Sequence, residues 1–144
     1  MLKKILVIFV LFSLCACNKK AKNQPANEHP VPYVPVQISI YPNDPLHFTL
    51  QAIGGWKYFD GGLNGIVIYR KSEEEFVAIE RTSTFHPDRA DAKVFVMKDN
   101  FILKDTVSNS QWRIFDGAVT TGPASWPLRL YGTSYDGNLL RIQN

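Results

Sequence analysis

Residues Trp112–Leu128 read W-R-I-F-D-G-A-V-T-T-G-P-A-S-W-P-L. The start of this stretch predicts a hairpin. Gln111-Trp112-Arg113-Ile114-Phe115 and Ala118-Val119-Thr120 are β-prone runs, and between them stands Asp116-Gly117, a pair that suits a two-residue hairpin turn because its backbone angles match the twist of paired strands.

Outward from this hairpin the chain keeps reading as strand and turn. Downstream, Leu128-Arg129-Leu130-Tyr131 and Leu139-Leu140-Arg141-Ile142 are separated by a segment ending in Asp136-Gly137-Asn138. Upstream, Val94-Phe95-Val96-Met97 and Phe101-Ile102-Leu103 flank the turn signal Asp99-Asn100. Gly65-Ile66-Val67-Ile68-Tyr69-Arg70 is a β-branched run bounded by glycine, the pattern of a well-buried strand. Glu75-Phe76-Val77-Ala78-Ile79-Glu80 places Phe76, Ala78 and Glu80 on one face and Val77 and Ile79 on the other. Lys71–Glu74 joins these two runs as a hairpin. Val36-Gln37-Ile38-Ser39-Ile40 and Leu46-His47-Phe48-Thr49-Leu50 alternate apolar and polar residues and predict two more strands. No stretch has the period and caps of a helix. About nine short, closely spaced strands imply an all-β sandwich or barrel.

Trp112, Gly117, Val119, Gly122-Pro123-Ala124 and Pro127-Leu128 stand in a register that resembles the closing segment of the Rieske iron–sulfur domain. Asp136-Gly137-Asn138 followed by Leu140-Arg141-Ile142 is similar to the last strand of that family, and Gly61-Gly62…Gly65-Ile66-Val67-Ile68-Tyr69-Arg70 to the strand before its first cluster loop. The resemblance spans Val36 to Asn144 and is strongest to the small Rieske-like lipoproteins of bacteria. It implies a Rieske-like antiparallel β-sandwich or barrel of short strands.

A Rieske centre is held by two Cys on one iron and two His on the other. The family supplies them as Cys-x-His in one loop and Cys-x-x-His-Gly in a second. Counted back from Gly122, the second loop is Asp105-Thr106-Val107-Ser108-Asn109, with Asp105 at the Cys position, Ser108 at the His position and Asn109 at the Gly position. The first lies within Arg81–Pro87, with Ser83 at the Cys position, Phe85 at the His position and His86 one residue late. Both cysteines of the chain, Cys15 and Cys17, precede the domain. The domain therefore has no thiolate for iron, no disulfide and no cysteine nucleophile, and Ser and Asp oxygens are too hard to replace the soft sulfurs of a cluster. The expectation is a Rieske-like domain without its cofactor.

The N-terminus supplies a second expectation. Lys3 and Lys4 precede the apolar run Ile5–Leu14, and Leu14-Cys15-Ala16-Cys17 follows. A positive start, an apolar run of about ten residues and a small residue before the cut describe a secretory signal, too short for the about 20 residues of a membrane-spanning helix. Its end resembles the bacterial lipobox, which implies cleavage after Ala16 and lipidation of Cys17. Residues 1–16 are thus expected to be a signal peptide, 17–35 a lipid-anchored tether kept extended by Pro25, Pro30, Pro32 and Pro35, and 36–144 the β domain. Asn18 after the lipidated Cys is compatible with outer-membrane sorting, facing either the periplasm or the medium. Membrane lipid, through acylated Cys17, is one expected partner, and an envelope protein of unknown identity the other.

From Val31 to Asn144 there are 11 Lys and Arg against 12 Asp and Glu. The basic excess of the chain sits at Lys3, Lys4, Lys19, Lys20 and Lys22, suited to an anionic membrane surface. Nucleic acid, which calls for a basic face on the domain, is not an expected partner. His29 reads as solvated in the tether and His47 as a half-buried strand residue. His86 and Asp105 would lie near each other if the two loops converge, and could serve a hard divalent ion. Trp112 reads as core. Trp126 lies near the loop tip, as core packing or as a contact for a partner. No Gly-x-Ser-x-Gly elbow is present, and no enzyme activity is expected. The leading reading is a non-enzymatic interaction or structural module without cofactor. A [2Fe–2S] electron-transfer protein and a mononuclear metal module are the alternatives.

Overall fold

The computed structural model describes residues 28–144. Among them ten strands follow in chain order: β1 (Gln37–Ile40), β2 (Trp56–Phe59), β3 (Ile66–Arg70), β4 (Phe76–Glu80), β5 (Val94–Val96), β6 (Ile102–Asp105), β7 (Gln111–Arg113), β8 (Val119–Thr121), β9 (Leu130–Tyr135) and β10 (Leu140–Gln143). They form a six-stranded sheet of order β1-β10-β9-β4-β3-β2 and a four-stranded sheet of order β5-β6-β7-β8. All pairings are antiparallel. The described part of the chain is thus all-β and built of short strands, the class that its alternation predicts. Among the described residues no helix is long and apolar enough to cross a membrane.

Every residue of β3 is buried, and the reason is visible in the side-chain alternation. Ile66 and Ile68 enter one core with Phe76, Ala78, Leu140 and Ile142. Val67 and Tyr69 point the other way, into a second core with Ile79, Leu103, Trp112 and Leu128. β3 and β4 therefore form a wall covered on both faces, as the continuous apolar run of β3 and the two-faced pattern of β4 require. The small sheet packs its apolar face onto the second core and is inserted between β4 and β9.

One expected strand is corrected and one unexpected strand is added. Leu46–Leu50 is not a strand: Pro45–Leu50 is a 3-10 helix, started by Asp44, whose side chain accepts from Leu46 N at 2.7 Å. Asp as cap and Pro at the first position favour a helical turn, and they outweigh a two-residue alternation only five residues long. His47 accordingly sits not on a strand but at a kink inside this segment, with non-helical backbone angles of φ −120° and ψ 32°. The run Trp56–Phe59, which carries no clear alternation signal, forms the edge strand β2.

The expected leader, Cys17 and the expected tether up to residue 27 lie outside the described residues. Residues 28–35, expected as free tether, lie against the domain. Val31 is fully buried, and its carbonyl accepts from Arg129 Nε at 3.2 Å and from Nη2. Asn144 holds the same segment, its Oδ1 accepting from Val36 N and its Nδ2 donating to Val34 O, both at 2.8 Å. His29, expected to be solvated, is half-buried and contacts the Pro127 carbonyl at 3.0 Å. A proline-rich segment has little entropy to lose on docking, which makes such a strap inexpensive to hold.

Candidate functional site

The loops Arg81–Pro87 and Asp105–Asn109, with the Gly122–Trp126 segment, meet at one end of the small sheet. β6 ends in Asp105, which is 2 % exposed. Its carboxylate folds back onto its own loop: Oδ1 accepts from Val107 N at 2.9 Å and Ser108 N at 3.4 Å, and Oδ2 accepts from Ser108 Oγ at 2.7 Å. Asn109 N donates to the Asp105 carbonyl at 2.8 Å. Asn109 takes the left-handed conformation with φ 61°, which suits the glycine position that the resemblance assigns to it, because Asn tolerates that region better than most residues.

The third segment is sewn to both loops. Ser110 Oγ accepts from Ala124 N at 3.0 Å. The Trp126 carbonyl accepts from Thr84 Oγ1 at 2.7 Å and from Trp112 Nε1 at 3.0 Å. Trp112, in β7, is fully buried, as its reading as core requires. Its ring fills the second core while its one donor reaches the Gly-Pro-Ala segment.

In the first loop, Ser83 is fully buried, and its hydroxyl accepts from Phe85 N at 3.2 Å. Phe85 packs against the second core. His86 is exposed, with φ 52°, and its ring lies edge-on to that of Phe85 at 4.3 Å. Arg89 and Asp91 pair through two bonds of 2.9 and 2.8 Å, and this pairing holds Asp91 below the usual carboxylate range.

The side chains at the expected cluster positions are therefore turned to structure. Ser83, Asp105 and Ser108 give their oxygens to protein hydrogens, and Phe85 gives its ring to the core. Among the described residues no side-chain nitrogen or oxygen that is fully buried lacks a partner. None of these groups is a soft donor, so the set does not suit iron bridged by sulfide. The pair His86 and Asp105 fares differently from its expectation. His86 points to solvent while the Asp105 carboxylate is consumed within its loop. Among the described residues no group of three or more His, Cys, Asp or Glu could hold a metal ion.

Trp126 is half-buried. Its ring stands edge-on to His29 at 5.9 Å, so the strap before β1 covers part of it. Sequence reasoning places Trp126 at the loop tip but gives no sign of this neighbour, which lies 97 residues earlier.

No protein-family model matches the chain, and no curated protein matches it. Among solved structures it is similar to the ferredoxin of carbazole 1,9a-dioxygenase from Nocardioides aromaticivorans IC177, at 16 % identity, covering 76 % of this chain and 97 % of that one, with a TM-score of 0.47. It is also similar to a chain of the complex of reduced oxygenase and oxidized ferredoxin in carbazole 1,9a-dioxygenase, at 15 % identity, covering 62 % of this chain and 81 % of that one, with a TM-score of 0.44. Identities this low say nothing of ligand, cofactor or partner.

Proposed function

We propose that the chain is a membrane-anchored lipoprotein whose Rieske-like domain has given up its cluster and serves as an interaction or structural module of the cell envelope. The observation that carries this reading is Asp105. It stands where the second cluster loop would supply a cysteine, and its carboxylate is buried and satisfied by three donors of its own loop. A carboxylate buried and turned onto its own loop in this way is not presented to an iron, and its hard oxygens are poor substitutes for a thiolate. The missing thiolates of residues 18–144 support the same conclusion.

The anchor rests on the lipobox-like Leu14-Cys15-Ala16-Cys17. Several acyl chains on one residue hold a protein at a membrane firmly, whereas one chain alone is marginal. From Asn18 to Asn27 ten residues separate the lipid from the docked strap. Fully extended they reach about 35 Å, enough to let the domain meet a partner beside the membrane.

Full chain purified from membranes tests both halves. It is expected to carry no iron and no acid-labile sulfide, and stoichiometric iron would end the cluster-free reading. Mass spectrometry is expected to find the acyl groups on Cys17, and a Cys17→Ser chain that fractionates with membranes as before would end the anchor. Capture of envelope proteins by the lipidated chain, compared with a Trp126→Ala form, tests the loop tip as the contact.

A further inference from the structure

Arg81 directly follows β4 and is only 7 % exposed. Its main chain is held on both sides, N–H to the Gly65 carbonyl and carbonyl to Val94 N. Its Nε donates to the Val94 carbonyl at 3.2 Å. The guanidinium carbon lies 3.5 Å from the centre of the Tyr58 ring and 5.2 Å from that of Phe95. Tyr58 is itself fixed, its hydroxyl accepting from Val96 N at 2.8 Å. The head group is thus locked in plane by stacking and by one hydrogen bond.

Its other four N–H groups, on Nη1 and Nη2, have no hydrogen-bond partner among the described residues, and no carboxylate forms an ion pair with it there. Among the described residues no fully buried side-chain nitrogen is left unpaired, so Nη1 and Nη2 each keep some exposure, in a pocket that Arg81 lines. That pocket has a volume of about 670 Å³, and the Gly61–Gly65 loop forms one side of it. Lys57, Lys93 and His47 line it too, against one exposed carboxylate, Asp60. Glu80 lies beneath the loop and its charge reaches Arg81, but it makes no hydrogen bond to it, its oxygens being taken by five other protein donors. Lys57 Nζ donates to the Leu46 carbonyl at 2.6 Å and lies 3.2 Å from His47 Nδ1, which steadies it at the rim.

A planar guanidinium with its donors free and its orientation fixed in advance is suited to take two acceptor oxygens at once. A concave wall in which basic groups outnumber acidic ones draws an anion. We propose that this pocket binds the oxyanion group of a ligand, a carboxylate or a phosphate, with Arg81 as the fork that grips two oxygens and Lys57 and Lys93 as flanking charges. Arg81 opens the first of the loops discussed above, but no other residue of either loop lines this pocket, and the site stands whether or not those loops ever meet a partner.

Inorganic phosphate and acetate are the probes. Each is titrated into the full chain in detergent, at constant ionic strength set with chloride, and followed by calorimetry and by the Nε–H resonance of Arg81. A saturable response to either probe is expected. Lys57→Gln or Lys93→Gln should weaken it about tenfold, the scale of one charge-assisted contact. Arg81→Lys, which keeps the charge and loses the fork, should abolish it. Response to phosphate alone would assign a phosphate ester, and to acetate alone a carboxylate. No saturable response to either, or unchanged affinity in both lysine variants, would overturn the proposal even if the Arg81 variant does not fold.

Discussion

The Tyr131 hydroxyl donates to Glu80 Oε2 at 2.6 Å, linking β9 to the end of β4 beneath the Gly61–Gly65 loop. Four more donors converge on the same carboxylate: Leu63 N at 2.8 Å, Asn64 N at 3.0 Å, Thr82 N at 3.0 Å and Thr82 Oγ1 at 2.8 Å. A carboxylate that is 1 % exposed is tolerable only with such a set. Gly62 completes the fit. It has φ 61°, and a Cβ there would lie 2.0 Å from Glu80 Oε2, so Gly62→Ala must push the loop off the carboxylate.

Tyr131→Phe removes one donor and leaves Glu80 Oε2 with one. The cost is expected to be about 1–3 kcal/mol, read by chemical denaturation. Burial, with the bond to Glu80 and its charge, pushes the Tyr131 phenol above its ordinary value of 10.0. The unfolded chain therefore loses this proton first. The stabilisation is complete below pH 10 and is lost as pH rises from there towards the folded value. The alkaline fall in stability should be shallower in Tyr131→Phe, and an identical slope would remove Tyr131 as its source.

Asp105→Ala strands Val107 N and Ser108 N at once. It is expected to cost about 2–4 kcal/mol on the scale of lost charge-assisted bonds, with the first loss of amide-exchange protection in residues 105–110. Asp105→Cys is expected to be destabilising as well and to gather no iron, since the other three positions remain Ser83, Phe85 and Ser108. Amide exchange unchanged in Asp105→Ala would show that the loop does not depend on this carboxylate.

Thr84→Val removes one of the two donors to the Trp126 carbonyl. Trp112 keeps the other, so the cost should be about 1 kcal/mol. Trp112→Ala empties the centre of the second core and should cost about 3–5 kcal/mol. Thermal unfolding orders the two variants, and equal shifts would contradict the central place given to Trp112.

The strap should be sensitive to acid. His29 is held below its ordinary 6.5, chiefly by burial and further by the Arg129 charge. Neutral His29 fits the docked strap, and protonation favours release. The strap is therefore fully held above pH 6.5 and loosens as pH falls through the lower folded value. Exchange of the amides of residues 31–36 between pH 8 and 5 measures this, and protection independent of pH would exclude His29 as the switch. Val31→Asp should free the strap at every pH.

Most of the strand pattern was legible because it depends on neighbours in sequence. The alternation of β4, with Phe76 and Ala78 on one side and Val77 and Ile79 on the other, follows from the pleat wherever the strand is placed. Asp99-Asn100 marks its turn by backbone chemistry alone; Asp116-Gly117 also falls in its turn, but the connection between β7 and β8 runs over residues 114–118 instead of the two expected. The same local logic failed at Leu46–Leu50, where the cap at Asp44 and Pro45 outweighed an alternation of five residues. It also passed over β2, whose place depends on pairing with β3.

Composition settles one chemical point without any fold: residues 18–144 hold no thiol, so no arrangement of the domain can supply one. Tertiary structure decided which polar residues are spent on the fold and which are left free. Asp105 and Glu80 look like surface carboxylates in the chain, and are buried acceptors because their donors come from loops folded around them. Arg81 is one basic residue among eleven between Val31 and Asn144. It becomes a fixed fork only because Tyr58, Val94 and Phe95, 23, 13 and 14 residues away, are brought against it. Contacts of that range cost chain entropy to close and leave no periodicity behind, so they can be read only from the folded molecule.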